Sequence, residues 1–232
     1  FSFFYFFGYE SIIFALALSY VLYFKRIFSI FKEMKINFNL IKPRIGFIGN
    51  NYFMSILQIA SGQVDKIIVA PILGFTILGN YNLAYQAIVV MFILPNIFYK
   101  YLLPQESSGV KNKKPKIIVI VFSVFITIFG IFVAPILINE LFPKFSEAVD
   151  AIRIMSLVII PTTISLILES EFLGNEKSRV VLIGTTILLT SLIIGMIVLG
   201  SRMGIEGIAY SLVIAQIAKL GFYLIAKKFS VT

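Results

Sequence analysis

The sequence contains no cysteine, no histidine and no tryptophan. Without cysteine there are no disulfides, thiolate nucleophiles or thiolate metal ligands, and without histidine the usual neutral-pH acid–base group and metal ligand is gone. Charge is scarce as well: 13% of the 232 residues are Asp, Glu, Lys or Arg, whereas 59% are hydrophobic. A soluble domain of this size needs a charged surface all round, and this chain could not cover one. The period-two alternation of barrel strands is also missing, since stretches such as 117–139 (IIVIVFSVFITIFGIFVAPILIN) are apolar on every face. What these absences leave is an all-α chain, a polytopic transmembrane helix bundle.

A bilayer core ~30 Å thick takes about 20 apolar residues per helical span. About seven such runs are expected, at 3–24, 45–72, 82–103, 117–138, 151–173, 180–200 and 205–226. Between them lie a basic segment (25–44), a two-glycine turn (73–81), a polar loop (104–116), a mixed-charge loop with Pro143 (139–150) and a short turn (174–179).

The net charge of +9 fits cytoplasmic loops enriched in Lys and Arg better than a nucleic-acid partner, and none is expected. Placing 25–44 in the cytoplasm puts 15 of the 20 cations on that side, among them Lys25, Arg44, Lys113, Lys116, Arg179 and Lys227, and leaves only Lys144 and Arg202 opposite. Such asymmetry predicts a multi-pass protein of the cell (cytoplasmic) membrane with this orientation. The chain opens on Phe1, already apolar and without the basic region of a signal peptide. We expect residues 1–24 to be the last helix of a preceding half, 25–44 a basic cytoplasmic linker at the headgroups, and 45–232 a six-helix C-terminal half-bundle.

Polar residues inside spans are costly, so they mark function or helix contacts. In the second span Asn51, Ser55, Gln58, Gly62 and Asp65 recur at spacings of 4, 3, 4 and 3, which puts them on one helix face. This stripe either lines water or bonds a neighbouring helix. With Asp65 at its end a cavity is favoured, and Lys66 is the cation that could meet an anionic substrate. Arg153 joins these as a cavity candidate at the outer start of the fifth span. Pro71 is expected to bend or end the second span, and Pro95 and Pro161 to kink the third and fifth. Lys219 could snorkel to the cytoplasmic side but is expected to have a structural role, and Glu169 and Glu171 are expected to sit at the interface beside Lys177 and Arg179. Gly207, Ser211 and Ala215 form a small-residue face for close packing.

The stretch 64–90 resembles the pattern that opens each six-helix half of polysaccharide and oligosaccharide-lipid flippases: an acidic residue (Asp65), then Leu73-Gly74, Leu78-Gly79, Tyr81 and Ala84. FLGNEKSR (172–179) resembles the family's short cytoplasmic turn, and MGIEGIAYSLVIAQ (203–216) its final helix. The family is the multidrug/oligosaccharidyl-lipid/polysaccharide exporter superfamily, in its O-antigen flippase (Wzx-type) branch. The resemblance implies two similar halves around a central cavity that opens alternately to each side. It implies membrane lipid and a lipid-linked sugar diphosphate as partners, the N-terminal half of the same protein as another, and a coupling cation as a candidate. No cofactor or metal is expected, and no enzyme activity: a membrane transferase needs acidic or histidine residues in sizeable loops. A multidrug exporter of the same superfamily and a non-transporting membrane structural subunit are the alternatives.

Overall fold

A computed structural model describes Tyr20, Phe24, Phe28 and residues 42–109 and 113–230, the side chains of Asp65, Ile72 and Ser230 excepted. The expected first span and most of the basic linker lie outside the described residues. The chain divides into two compact units, 1–45 and 46–232, and nearly all described residues belong to the second.

Every regular element among the described residues is helical. A helix satisfies its backbone N–H and C=O groups within the segment, which hydrocarbon demands. A 3-10 turn at Lys42–Arg44 leads into α1 (Ile45–Met91) and α2 (Ile93–Ser107). Then come α3 (Lys113–Phe132), α4 (Ala134–Leu141), a 3-10 turn at Pro143–Phe145, α5 (Glu147–Ser156), α6 (Ile159–Gly174) and α7 (Ser178–Ser230).

Prolines place the bends. Pro95, Pro135 and Pro161 lack the N–H that would bond the carbonyl four residues back, at Met91, Ile131 and Leu157. Each helix break falls beside one of those carbonyls. The axis turns by 45° between Met91 and Ile93 and by 41° between Ser156 and Ile159, so the kinks expected at Pro95 and Pro161 are present. Pro71 behaves otherwise. α1 runs through it and breaks at Gly74, whose φ of 85° and ψ of 169° leave the helical region. Glycine takes such a conformation at little steric cost, so the break settles there.

Gly204 does the same to α7, with φ 61° and ψ −135°. A straight helix of 53 residues would be about 80 Å long at ~1.5 Å per residue. Yet Tyr223 Oη donates to the Val181 carbonyl at 3.3 Å, and a Cβ on Gly195 would fall 2.8 Å from the Ser211 Cβ. These pairs sit at nearly equal chain distances on either side of Gly204. α7 is therefore two antiparallel limbs, 178–203 and 205–230. The expected small-residue face makes the contact: Ser211 and Ala215 are fully buried, and Gly207 lies against the Leu199 backbone. α1 also doubles back after Gly74, because Phe47 and Met54 of its first limb share a cluster with Leu103 of α2.

Among the described residues the packed interior has two larger clusters and a small third one of Leu102, Val119 and Ile167. One of the larger two joins Tyr81, Ile88, Ala148, Ile152, Met155, Met196 and Ile208 near the glycine reversals. The other joins Met54, Leu168, Phe172, Val181 and Tyr223 at the opposite end, where α2, α6 and the last limb of α7 finish. Lipid tails are as apolar as leucine, so these clusters are held by close packing and hydrogen bonds rather than by release of water.

Three stretches are long and apolar enough to cross a membrane: Lys42–Pro71, Lys113–Phe132 and Ser178–Phe229. Two bent pairs, Leu73–Met91 with Ile93–Ser107 and Glu147–Ser156 with Ile159–Gly174, bring the number to as many as five. The expected count of about seven is not reached among the described residues. The first expected span lies outside the described residues, and the sixth and seventh expected spans are joined in the single helix α7, which reverses at Gly204. The expected loop 139–150 is also largely helical, since α4 extends to Leu141 and α5 starts at Glu147.

A Cβ at Gly204 would be forced into a strained region, so Gly204→Ala should destabilise the fold by roughly 1–3 kcal/mol. Unfolding in mixed micelles, followed by far-ultraviolet circular dichroism as dodecyl sulfate is added, measures this. An unchanged midpoint would contradict the dependence of the reversal on glycine.

Candidate functional site

The polar stripe of α1 faces outward. Ser55 and Gln58 are exposed and Asn51 is half-buried, while Met54 on the same limb is buried in the core. Only 12% of the apolar window in this first limb is covered by the rest of the chain, against 22% in α3 and 28% in α7. Part of the stripe's polarity is answered locally: Asn51 Nδ2 donates to the Phe47 carbonyl at 2.8 Å and Ser55 Oγ to the Asn51 carbonyl at 2.9 Å. Such back-bonding spares a hydroxyl or amide the cost of facing lipid alone. It leaves the oxygen of the Asn51 side chain and the whole Gln58 amide available to a solute. Lys66 is exposed one turn before Pro71 and donates to Gln63 Oε1 at 3.3 Å along its own helix. The side chain of Asp65 lies outside the described residues.

Arg153 stands apart from the stripe. It sits on α5, pairs with Asp150 at 3.0 Å and lines an open cleft of about 590 Å³ with Asn139, Glu140 and Ser146. None of the stripe residues lines this cleft. The structure thus separates Arg153 from the other residues expected to form one cavity wall.

The strongest electrostatics lie elsewhere. Lys116 of α3 has its Nζ 2.6 Å from Glu106 Oε1 on α2 and 2.7 Å from Glu171 Oε1 on α6. The other oxygen of Glu171 is 2.6 Å from Lys227 Nζ on α7. One chain of charges therefore ties the ends of α2, α6 and α7 to the start of α3. Residues two apart on a helix point about 200° apart, so Glu169 serves a different partner. Its Oε2 is 3.0 Å from Lys219 Nζ on α7, with Glu169 2% and Lys219 7% exposed. Lys219 Nζ also lies 5.3 Å from the centre of the Tyr223 ring, a cation–π approach.

These pairings correct two expectations. Glu171 faces Lys116 and Lys227 rather than Lys177 and Arg179, and Glu169 is inside the bundle rather than at the interface; Lys219 has the structural role expected of it, through an ion pair and not by snorkelling. The reason is the packing of α6 against α3 on one side and α7 on the other, which puts a counter-charge closer than the membrane surface. A signal existed in the sequence: Glu169 and Lys219 each interrupt an apolar run, and a lone charge there needs an opposite one. Which cation met which carboxylate was not readable. Paired charges of this kind hold helices together, whereas the exposed stripe is what a solute could touch. Set against known protein families, characterised proteins and solved structures, the chain matches none.

Lys219→Met leaves Glu169 buried without its partner and should cost about 3–5 kcal/mol, while adding Glu169→Leu should recover most of the loss. The dodecyl sulfate titration reads both. A double variant no more stable than the single one would mean that the pair does not carry this energy.

Proposed function

We propose that the chain is part of a flippase that moves a lipid-linked oligosaccharide or polysaccharide repeat unit across the cytoplasmic membrane by alternating access. The observation that supports it best is the outward-facing polar stripe on α1. A spanning helix with an exposed glutamine, serine and half-exposed asparagine is costly against lipid. The cost disappears if that face lines a watery cavity opposite further helices, where hydroxyl-rich sugars could bond it. Asn51, Ser55, Gln58, Asp65 and Lys66 are the residues in this role, with Lys66 as the cation for a diphosphate. Arg153 belongs to the outer cleft and would meet the substrate only on its way out.

The helix count is compatible with this reading. Taking each limb of α1 and α7 separately, and each bent pair as one crossing, residues 45–230 make six crossings, the number in one half of such a transporter. The basic residues expected between the crossings then mark the cytoplasmic face. The first limb of α1, thinly covered by the rest of the chain, is the element freest to shift as the cavity opens and closes. Exposure of Gln58 counts against a purely structural subunit, in which the stripe would be buried on neighbouring helices.

The chain has no cysteine of its own, so single cysteines report directly. Ser55→Cys and Gln58→Cys should react with a membrane-impermeant thiol reagent in native membranes, and Phe53→Cys and Ile67→Cys, exposed on the opposite side of the helix, should not. Equal protection at all four sites would argue for lipid or helix around the stripe and against a cavity.

Asp65→Ala and Lys66→Ala should each lower surface display of the glycan at least severalfold while the protein level in the membrane stays normal. Unchanged display in both would remove these two residues from the mechanism.

A further inference from the structure

Lys116, Lys219, Lys227 and Arg153 are each answered by a carboxylate. Lys177 and Arg179 have no such partner among the described residues. Both line an open cleft of about 370 Å³ between residues 46–50 at the start of α1 and residues 176–180 at the start of α7. Gly46, Asn50, Glu176 and Ser178 line it too. Asn50 Nδ2 donates to Ser178 Oγ at 3.2 Å, and Ser178 is only 3% exposed, so this bond ties the two walls together at depth. It leaves the second amide proton of Asn50 and the hydroxyl proton of Ser178 free to donate. Nothing lies within 4 Å of the place where a Gly46 side chain would begin, so the cleft stays open on that side. Glu176 brings one negative charge against two positive ones.

We propose that this cleft binds an anionic phosphate group. A guanidinium fork and an ammonium, backed by an amide and a hydroxyl donor, match the acceptor-only oxygens of a phosphate. A lipid headgroup and free inorganic phosphate share that chemistry. The position favours the headgroup: α1 and α7 are both candidate spans and both begin at this cleft, so it lies where a helix leaves the hydrocarbon, at the depth of lipid phosphates. The site does not depend on the transport reading, since it shares no residue with the polar stripe.

The test uses the full chain in neutral detergent micelles, titrated with phosphatidylglycerol and read by native mass spectrometry, with inorganic phosphate titrated separately by calorimetry. Lys177→Gln with Arg179→Gln should weaken phosphatidylglycerol binding tenfold or more. Lys100→Gln with Lys113→Gln, an equal loss of charge at exposed positions outside the cleft, should change it less than twofold. Gly46→Leu keeps every charge but fills the cleft, and should also abolish binding. All five positions are exposed, and an unchanged unfolding midpoint confirms that each variant folds. Lipid binding without phosphate binding assigns the site to a headgroup, and binding of both, lost in the same variants, assigns it to the anion itself. Equal weakening by both charge pairs, or full binding by Gly46→Leu, overturns the proposal.

Discussion

A polar group inside hydrocarbon has no water to bond, and nearly every feature of this bundle answers that constraint. The backbone is helical almost without interruption, so its N–H and C=O groups are used within each segment. Side-chain hydroxyls follow the same rule: Thr127, Ser156, Thr163, Thr185 and Ser211 all donate to the carbonyl four residues back. Charges are neutralised in place by Glu106, Glu169 and Glu171 against Lys116, Lys219 and Lys227. Removing one member of such a pair is far more damaging than removing both, because the survivor is stranded.

Against this background the exceptions carry the functional argument. Most polar groups are satisfied internally where helices pack, with Asn80 Oδ1, Gln105 Oε1, Thr162 Oγ1 and Ser165 Oγ as buried exceptions, but the first limb of α1 turns Ser55 and Gln58 outward and is scarcely covered. The cleft at the starts of α1 and α7 holds two cations that pair with no carboxylate among the described residues. The first exception lies on a spanning helix and calls for water or a facing helix. The second lies at a helix end, where lipid headgroups are. Rigidity and exposure are thus divided between elements: α2, α3, α6 and α7 are tied by ions, while the first limb of α1 is held by packing, through Phe47, Asn50 and Met54 near its start and Ile68, Val69 and Leu73 near its end.

Much of the fold was legible because its causes are local. Helical structure follows from apolar runs with no period-two alternation, and the bends at Pro95 and Pro161 from the missing N–H of proline. The tight face of Gly207, Ser211 and Ala215 follows from small residues at helical spacing. The apolar span ends at Pro71 as expected, while the backbone itself leaves the helical region three residues on, at Gly74. The stripe on α1 was legible as a face, since spacing fixes which residues share a side of a helix. Whether that side looks inward or outward depends on neighbours that spacing does not name.

By itself, the sequence determined the medium, the helical class, the kinks at two prolines and the uneven distribution of basic charge, all properties of composition and of spacing along one segment. Only the tertiary structure decided that Glu169 meets Lys219, that Glu171 bridges Lys116 and Lys227, and that Arg153 stands away from the stripe. Those are contacts between residues 50 or more positions apart. They depend on the rotation and depth at which one helix packs on the next, and no single segment encodes that.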